Sequence, residues 1–303
     1  MDKHCDLSVA ISSELDDGMS VVMGCGLESL IPFASGLEII RQKKRNLTLI
    51  APISDIQIDQ LIGAGCARKI VAAWVGNVAA GLGHNFRRAL EDSVPHAVEV
   101  EEHSNFTLGL GLKAAAMGLP FLPTRTGLGS DFRTGTQFHP VTCPFSGEEL
   151  LAVKAIRPDL ALIHVQQADS EGNAHAWGNL GVIREAALAA KKVILTCEEI
   201  VPHEHILRDP NRTVIPGFLV SRVVPLPVGS HPSPTQGYAR RDDAFYFDYH
   251  KESRSREGFL SWLQHWVYEV KNHEEYLRRL GVDRVEKLRP GRELKSPSVN
   301  FSM

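Results

Sequence analysis

The sequence of 303 residues lacks a basic surplus, a long apolar run and any dense group of cysteines. Its net charge of −3 gives no sign of a nucleic-acid partner. No run approaches the roughly 18 apolar residues of a membrane-spanning helix, and acidic residues interrupt the first apolar stretch, where a signal peptide would be continuous. The composition therefore predicts a cytoplasmic protein with neither a membrane nor a nucleic-acid partner.

The cysteines are odd in number and widely scattered along the chain. They are never closer than about twenty residues, so their spacing favours neither a disulfide framework nor a Cys-x-x-Cys metal site. We predict no metal site, and we expect each cysteine to be a small buried hydrophobic side chain. The residues are Cys5, Cys25, Cys66, Cys143 and Cys197.

What is present is an alternation of short β-rich runs and helical stretches. The runs end in Gly, Pro or polar residues, as buried strands do. Alternation at this spacing is typical of βαβ units, so we predict an α/β fold with an open, mostly parallel sheet and helices on both faces. The predicted strands are residues 20–23, 47–50, 69–72, 97–100, 160–165 and 193–195. The predicted helices are residues 27–43, 56–64, 79–90, 105–117 and 180–190.

After about residue 200 the sequence pattern changes, because prolines divide the chain into short extended pieces. A long C-terminal helix is predicted over residues 253–279, and we expect its aromatic stripe to pack against the sheet. The composition predicts one domain over residues 1–285. The tail at residues 286–303 is rich in Pro, Ser and charge, and we expect it to be loosely ordered.

The first glycine-rich segment follows a strand and contains Gly24 and Gly26. It does not match a dinucleotide-binding fingerprint, because Ser29 occupies the place of the third glycine and no acid closes the next strand. Bare backbone N–H groups in such a turn can still hold an anionic or carbonyl oxygen. The alternative is a tight turn that simply needs glycine.

A second glycine-rich loop contains Arg125, Gly127 and Gly129. A guanidinium group pairs with phosphate or carboxylate, and flexible glycine backbone lets a ligand come close. The alternative is a structural ion pair with an acid such as Asp131.

A third segment, residues 101–106, joins the end of a predicted strand to the start of a predicted helix. Ser104 or Asn105 is the expected N-cap, and Glu102 stands where ligands bind in open sheets. An acid at a helix start can equally be simple electrostatic stabilisation.

These segments and several others, taken as a set, resemble a known family. They are similar to the α (A) subunit of class I coenzyme A transferases, and most of all to the glutaconate coenzyme A transferase branch, over residues 6–280. The resemblance implies a fold of the NagB/RpiA-like type. The segments are Asp17-Gly18, Val21–Gly26, Pro32, Glu102–Phe106, Leu119–Asp131, Asp169–Ala174, Pro227–Pro234, Gly237-Tyr238 and Asp248–His250.

The resemblance implies transfer of coenzyme A from an acyl-CoA to a free carboxylic acid in ping-pong steps. A glutamate attacks the thioester, becomes a mixed anhydride and then carries the coenzyme as a glutamyl thioester. In the family this glutamate lies on a β (B) subunit, so the resemblance implies a β partner, an α2β2 assembly and no permanently bound cofactor. The residues expected to bind substrate or coenzyme A are Gly24, Gly26, Ser104, Asn105, Arg125, Gly127 and Gly129.

The glutamate Glu171 tests this interpretation, because the family's nucleophile stands in a Ser-Glu-Asn-Gly motif. Here the order is Ser170-Glu171-Gly172-Asn173, which resembles a structural turn of the α chain. We therefore predict that Glu171 is a turn residue. Gly172 and Asn173 suit positive φ, and Asp169 is expected to bind backbone N–H groups.

Two alternatives remain. A related branch of ring-cleaving hydrolases of steroid breakdown places a working glutamate on its α chain, and the matching position here falls on Asn105, whose amide cannot act as a base. A shift of a few residues would assign that role to Glu102, which makes Glu102 the candidate catalytic residue of this chain. The other alternative is a non-catalytic ligand sensor on the same fold, although no helix-turn-helix segment is evident.

Overall fold

The computed structural model describes residues 3–290, and its centre is a nine-stranded sheet. Parallel pairs run through this sheet in the order β14-β12-β10-β1-β2-β3-β6. The parallel strands are β1 (Ser20–Val22), β2 (Leu47–Ile53), β3 (Ala67–Trp74), β6 (Glu99–Glu102), β10 (Leu160–Ala168), β12 (Lys192–Ile200) and β14 (Val220–Pro225).

Helices cover both faces of the sheet. They are α1 (Leu7–Glu14), α2 (Phe33–Arg41), α3 (Ile56–Gly63), α4 (His84–Glu91), α5 (Asn105–Ala116), α6 (Ile183–Ala189), α7 (His203–Arg208), α8 (Asp243–Glu252), α9 (Arg256–Leu263), α10 (His273–Leu280) and α11 (Val282–Leu288).

Alternate strand residues build two hydrophobic cores. Val21 and Leu49 face a core shared with α1, α2, α3 and the C-terminal helices. Their chain neighbours Val22 and Ile50 face a second core shared with α5 and α6. Because both faces are covered, the central strands are apolar at successive positions, and this pattern is why the sequence identified them. The predicted α/β fold class is confirmed.

Antiparallel strands extend this framework at three places. Strands β11 (Ala174–His175) and β13 (Thr213–Ile215) pair beyond the end of β10, while β4 (Gly76–Asn77) and β5 (Gly81–Leu82) form a hairpin. Strands β7 (Phe121–Thr124), β8 (Phe138–Thr142) and β9 (Glu149–Lys154) form a separate three-stranded sheet between α5 and β10.

Several helices begin later than the sequence predicted. The helix predicted from residue 27 begins at Phe33, because Leu27 and Leu30 adopt positive φ and Pro32 occupies the N-cap. The helix predicted from residue 79 begins at His84, since the preceding residues form the hairpin.

The single long helix predicted over residues 253–279 is wrong. Helix α9 passes into a π-helical turn at Gln264–Tyr268, and α10 starts anew where the Asn272 side chain accepts the backbone N–H of Glu275 at 3.0 Å. This capping bond favours a new helix start over continuation. The aromatic stripe does pack in the core, with Phe259 and Trp262 buried.

The predicted loosely ordered tail begins too early, because residues 286–288 belong to α11. Its remaining part from residue 291 onward lies outside the described residues. Within residues 3–290, no helix is both long enough and apolar enough to cross a membrane.

Candidate functional site

The order in which strands are added to the sheet reverses at β1, which lies between β2 and β10. The chain proceeds from β1 to β6 on one side and from β10 to β14 on the other. Open parallel sheets bind ligands at the carboxyl ends of the strands at such a switch point. The loops that meet there are the turn at residues 24–26, the start of α3 at residues 54–55 and the segment at residues 178–182.

The turn at residues 24–26 is buried and needs both of its glycines. Gly24 has φ +65°, and a Cβ there would lie 2.6 Å from the Cβ of Ser54. A Cβ on Gly26 would lie 2.3 Å from the carbonyl oxygen of Ser29. Among residues 3–290, the N–H groups of Gly24, Cys25 and Gly26 donate to no acceptor. The turn thus presents a short row of bare, buried donors.

The segment at residues 178–182 packs against this turn. The backbone N–H of Val182 donates to the Cys25 carbonyl oxygen at 2.8 Å, and the Ser29 hydroxyl donates to the Asn179 carbonyl oxygen at 3.0 Å. The first turns of α5 reach the same place, since a Cβ on Gly109 would lie 3.0 Å from a methyl group of Val182. The start of α5 and the glycine turn therefore border one region of the sheet edge.

Of the two predicted N-caps, Ser104 and Asn105, Ser104 is the N-cap of α5. Its hydroxyl accepts the Thr107 backbone N–H at 3.0 Å, and Thr107 Oγ1 accepts the Ser104 backbone N–H at 2.9 Å. The buried His103 ring bonds Thr107 Oγ1 and Glu101 Oε1, each at 3.2 Å. The hydrogen bond from His103, with the Lys69 ammonium group, holds the pKa of Glu101 at about 2. Glu101 is thus a structural anion.

Glu102 and Asn105 are exposed beside this cap. The Glu102 side chain forms no hydrogen bond or ion pair with another described residue, while its carbonyl oxygen accepts the Gln137 amide at 3.0 Å. A free carboxylate at the end of β6 is consistent with a chemical role. No observation assigns one, so the catalytic role of Glu102 stays a prediction.

Arg125 lies in an exposed loop of the three-stranded sheet. Its Nε donates to Glu148 Oε1 at 2.6 Å, so its ion-pair partner is Glu148 and not the Asp131 that the sequence suggested. Gly127 has φ +88°, and a Cβ on Gly129 would meet open space. Gln137, whose amide donates to the Glu102 carbonyl oxygen, lies eight residues beyond Gly129, just before β8.

Gly24 and Gly26 belong to a separate part of the same edge. They are separated from the end of β6 by three strand spacings, or about 14 Å. The predicted site residues therefore form two regions, and α5 begins beside one of them and contacts Val182 near the other.

Glu171 lies in a turn, as predicted. Asp169 Oδ1 accepts the backbone N–H groups of Glu171 and Asn173 at 3.0 and 2.9 Å, and Gly172 has φ +91°. The positive φ predicted for Asn173 is wrong, since its side chain instead bonds Asp169 Oδ2 and the Gly217 N–H.

Asp55 is a site feature that the sequence did not reveal. It follows β2, beside the glycine turn, and is fully buried with φ +54°. Its Oδ1 accepts the N–H groups of Ile56 and Val78 at 3.0 and 3.1 Å, whereas Oδ2 accepts no hydrogen bond of normal geometry from a described residue. Burial raises the pKa of this carboxyl group to about 6, against the smaller opposing effect of the Val78 N–H.

The sequence also did not reveal a cavity of about 580 Å³ at the carboxyl ends of β10, β12 and β14. Its walls combine two aromatic rings, two carboxylates, two guanidinium groups and amides. The side chains that define it are Trp177, Glu198, Glu199, Arg212, Val228, Gln236, Tyr238 and Arg289. The signals in the sequence were the segments Pro227–Pro234 and Gly237-Tyr238, which belonged to the resemblance without an assigned role.

Comparison with known proteins decides the family, because residues 5–225 match the family model described as coenzyme A transferase. The chain belongs to the coenzyme A transferase family. It is 42% identical over 275 residues to the α (A) subunit of the 3-oxoadipate CoA-transferase of Pseudomonas knackmussii, an alignment that covers 90% of this chain and 96% of that protein. It is 33% identical to the α (A) subunit of the glutaconate CoA-transferase of Acidaminococcus fermentans, over 95% of both chains.

Solved structures agree with this assignment. The glutaconate coenzyme A-transferase of Acidaminococcus fermentans superposes with a TM-score of 0.91 at 32% identity, covering 96% of this chain and 97% of that chain. In sequence, the cholesterol ring-cleaving hydrolase IpdA subunit of Rhodococcus jostii is more distant, at 27% identity over 86% of this chain and 90% of that protein. The predicted resemblance is confirmed, and the chain is the α subunit of a coenzyme A transferase.

Proposed function

We propose that this α subunit works with a β subunit, in an α2β2 assembly, to move coenzyme A between an acyl-CoA and a dicarboxylic acid. The support for the acid is chemical, since 3-oxoadipate and glutaconate, named in two relatives of high coverage, both carry two carboxylates. The support for the partner is that both relatives are named as one subunit of their enzymes. The assembly and a cytoplasmic location stay predictions.

The row of bare N–H groups at Gly24, Cys25 and Gly26 carries the proposal. Buried donors without partners cost free energy unless a ligand satisfies them. A thioester carbonyl oxygen gains negative charge when a nucleophile attacks its carbon, and preorganised backbone N–H groups stabilise that charge. We assign this turn as the site of the reacting carbonyl oxygen.

The transfer steps then follow from the family's chemistry. A glutamate carboxylate on the β partner attacks the thioester carbon, the C–S bond breaks, and coenzyme A leaves as a thiolate. The thiolate attacks the glutamyl carbonyl of the resulting anhydride and releases the first acid as a carboxylate. The second acid accepts coenzyme A by the same steps in reverse, and no net proton is taken up.

Two segments of this chain are candidates for binding the substrate during these steps. We propose that Ser104, at the cap of α5, and Asn105 bind polar groups of the substrate. We propose that Arg125, with Gly127 and Gly129, binds a carboxylate or phosphate. Glu102 would serve as a general acid or base only in the hydrolase alternative, where a water molecule replaces the second acid.

The decisive experiment uses the reconstituted α–β complex. The complex is incubated with acyl-CoA, the glutamyl thioester is reduced with borohydride, and the modified peptide is mapped. We expect the label on the partner chain. Label on a peptide of this chain, including one containing Glu102, would overturn the assignment of the nucleophile.

A kinetic comparison separates the transferase from the hydrolase. The Glu102→Gln variant should keep its transfer rate within about tenfold if Glu102 does not move a proton, whereas loss of a general acid or base costs about 10²-fold or more. Release of free coenzyme A without an acceptor acid, abolished by Glu102→Gln, would favour hydrolysis.

A further inference from the structure

The turn after β14 contains a residue whose backbone conformation is unfavourable for its side chain. The Gly229 N–H donates to the Leu226 carbonyl oxygen at 2.9 Å, which closes a turn with Pro227 and Val228 at its centre. Val228 has φ +59°. A β-branched side chain in this region is a genuine outlier, and turns of this shape normally place glycine there.

A buried acid holds this strained residue in place. Glu198 Oε2 accepts the Val228 N–H at 2.7 Å, and Oε1 bonds Nε2 of the fully buried His164 at 3.1 Å. The other ring nitrogen of His164 bonds Thr196 Oγ1 at 2.8 Å. Glycine at position 228 would keep the same backbone hydrogen bond without the strain. The backbone therefore does not explain the valine side chain.

The side chain of Val228 forms part of the wall of the 580 Å³ cavity. Arg212 lies on the same wall, with its guanidinium carbon 5.5 Å from the centre of the Trp177 ring. Its one ion pair among residues 3–290 is with Asp209 at 2.9 Å. Because a guanidinium group has five N–H donors, one carboxylate leaves several of them available.

The walls of the cavity also carry two carboxylates that already accept hydrogen bonds from other residues. Glu198 accepts the two hydrogen bonds described above. Glu199 Oε2 accepts the Tyr238 hydroxyl at 2.7 Å and the Gln167 amide at 3.2 Å. Arg212 and Arg289 on the same cavity supply two positive charges that offset the charges of these carboxylates.

The cavity adjoins the glycine turn that holds the reacting carbonyl oxygen in the proposed function. Gly178 lines the cavity, and its neighbour Asn179 accepts a hydrogen bond from Ser29, whose N–H donates to Gly26 of the turn. Val22, at the end of β1, pairs with Ala161, whereas Gln167 further along β10 lines the cavity. A thioester carbonyl at the turn would therefore direct its acyl chain along β10 into the cavity.

Resting on the proposed function, we propose that this cavity binds the acyl chain of the dicarboxylic substrate. Val228 contacts the methylene groups, and Arg212 binds the distal carboxylate. The strained conformation of Val228 is retained because its side chain contacts the ligand and is not needed to stabilise the fold.

The first test is the Val228→Gly variant in the α–β complex. Its melting temperature should be unchanged or higher, because glycine relieves the positive-φ strain. The KM for a dicarboxylic acid should rise about tenfold, as expected when an apolar contact is lost from a binding pocket. An unchanged KM, whatever the melting temperature, would overturn the role of Val228.

The second test compares acids. In an Arg212→Gln variant the KM for succinate, glutarate or adipate should rise about tenfold or more, while the KM for a monocarboxylic acid of equal length should stay within about twofold. Arg208→Gln, an exposed arginine at the end of α7, is the matched control and should change neither value. Equal effects on both acid classes would overturn the carboxylate contact.

These outcomes are separable from the proposed function. If the wild-type complex transfers coenzyme A but both variants keep wild-type KM values, the cavity proposal fails and the transferase stands. If the wild-type complex transfers no coenzyme A, the proposed function fails.

Discussion

Asp55 shows how a single buried carboxyl group can cost stability at neutral pH. The pKa of an unfolded aspartate is about 3.9, whereas burial raises the pKa of Asp55 to about 6. Between these values the unfolded state binds fewer protons than the folded state. The stability contributed by Asp55 is therefore highest below about pH 4 and falls as the pH rises through 6.

We therefore expect Asp55→Asn to stabilise the protein above pH 6. Asparagine tolerates positive φ, and its Oδ1 can accept the same two N–H groups from Ile56 and Val78. The gain should be on the order of 2 kcal/mol at about pH 7 and close to zero at about pH 4, measured by urea unfolding across that range.

Asp59 provides the contrast for this measurement. It is equally buried, but its oxygens accept the Phe86 N–H, the Asn85 amide and the Tyr249 hydroxyl, the last at 2.6 Å. An asparagine there would turn one acceptor into a donor, so Asp59→Asn should destabilise the protein. Equal effects of the two substitutions would contradict this account of Asp55.

Arg125 tests whether an exposed ion pair also serves the substrate. The side chain is 74% exposed, so its pair with Glu148 should contribute less than about 1 kcal/mol to stability. We expect Arg125→Ala to lower the turnover of the α–β complex with little change in unfolding free energy. Glu148→Ala removes the same ion pair from the other end and should leave turnover near the wild-type value. Matching losses in both variants would indicate a structural pair only.

At the scale of elements, the capping box of Ser104 and Thr107 fixes the start of α5 just after β6. Ser104→Ala should cost about 1 kcal/mol in unfolding free energy, because the Thr107 N–H loses its acceptor. Ser104→Asp retains a capping oxygen and should restore most of that stability. If Ser104 also binds substrate, the aspartate variant will be stable yet impaired in kcat/KM. A fully active Ser104→Asp variant would limit Ser104 to its capping role.

The elements that the sequence predicted best are those with one dominant signal. Strands β2 and β10 are apolar at successive positions because both faces of the sheet are covered, and this run is visible in the sequence. Strands β7 and β8 are short and largely exposed, so they lack such a run and were missed. The long C-terminal helix was overestimated, since periodicity continues through residues 264–272 although the backbone hydrogen bonding changes.

For the whole molecule, the sequence could identify single segments of the site but not their assembly. The glycine turn and the cap at Ser104 are local features with local signals. The cavity collects side chains from Gln167 to Pro290, and the conformation of Val228 depends on Glu198, thirty residues earlier in the chain. Contacts of this range depend on the packing of strands and leave no pattern in a single sequence.

At the same scale we predict that the isolated chain has negligible transferase activity and forms a stable complex with a β subunit. In that complex Glu171→Gln should keep its rate within about tenfold, whereas loss of a covalent nucleophile costs several orders of magnitude. Size-exclusion chromatography and steady-state kinetics check both statements. Turnover of acyl-CoA at an enzymatic rate by the purified chain without its partner would contradict the first.

The position of β1 between β2 and β10 also has a consequence for synthesis on the ribosome. Strand β2 follows β1 after about 25 residues, but β10 follows only after roughly 140, which at about 5–20 residues per second takes on the order of ten seconds. Throughout that interval the nascent chain carries an open apolar edge, which can pair with other chains. The strand order that places the glycine turn at the switch point therefore also prolongs the period in which the incomplete sheet can aggregate.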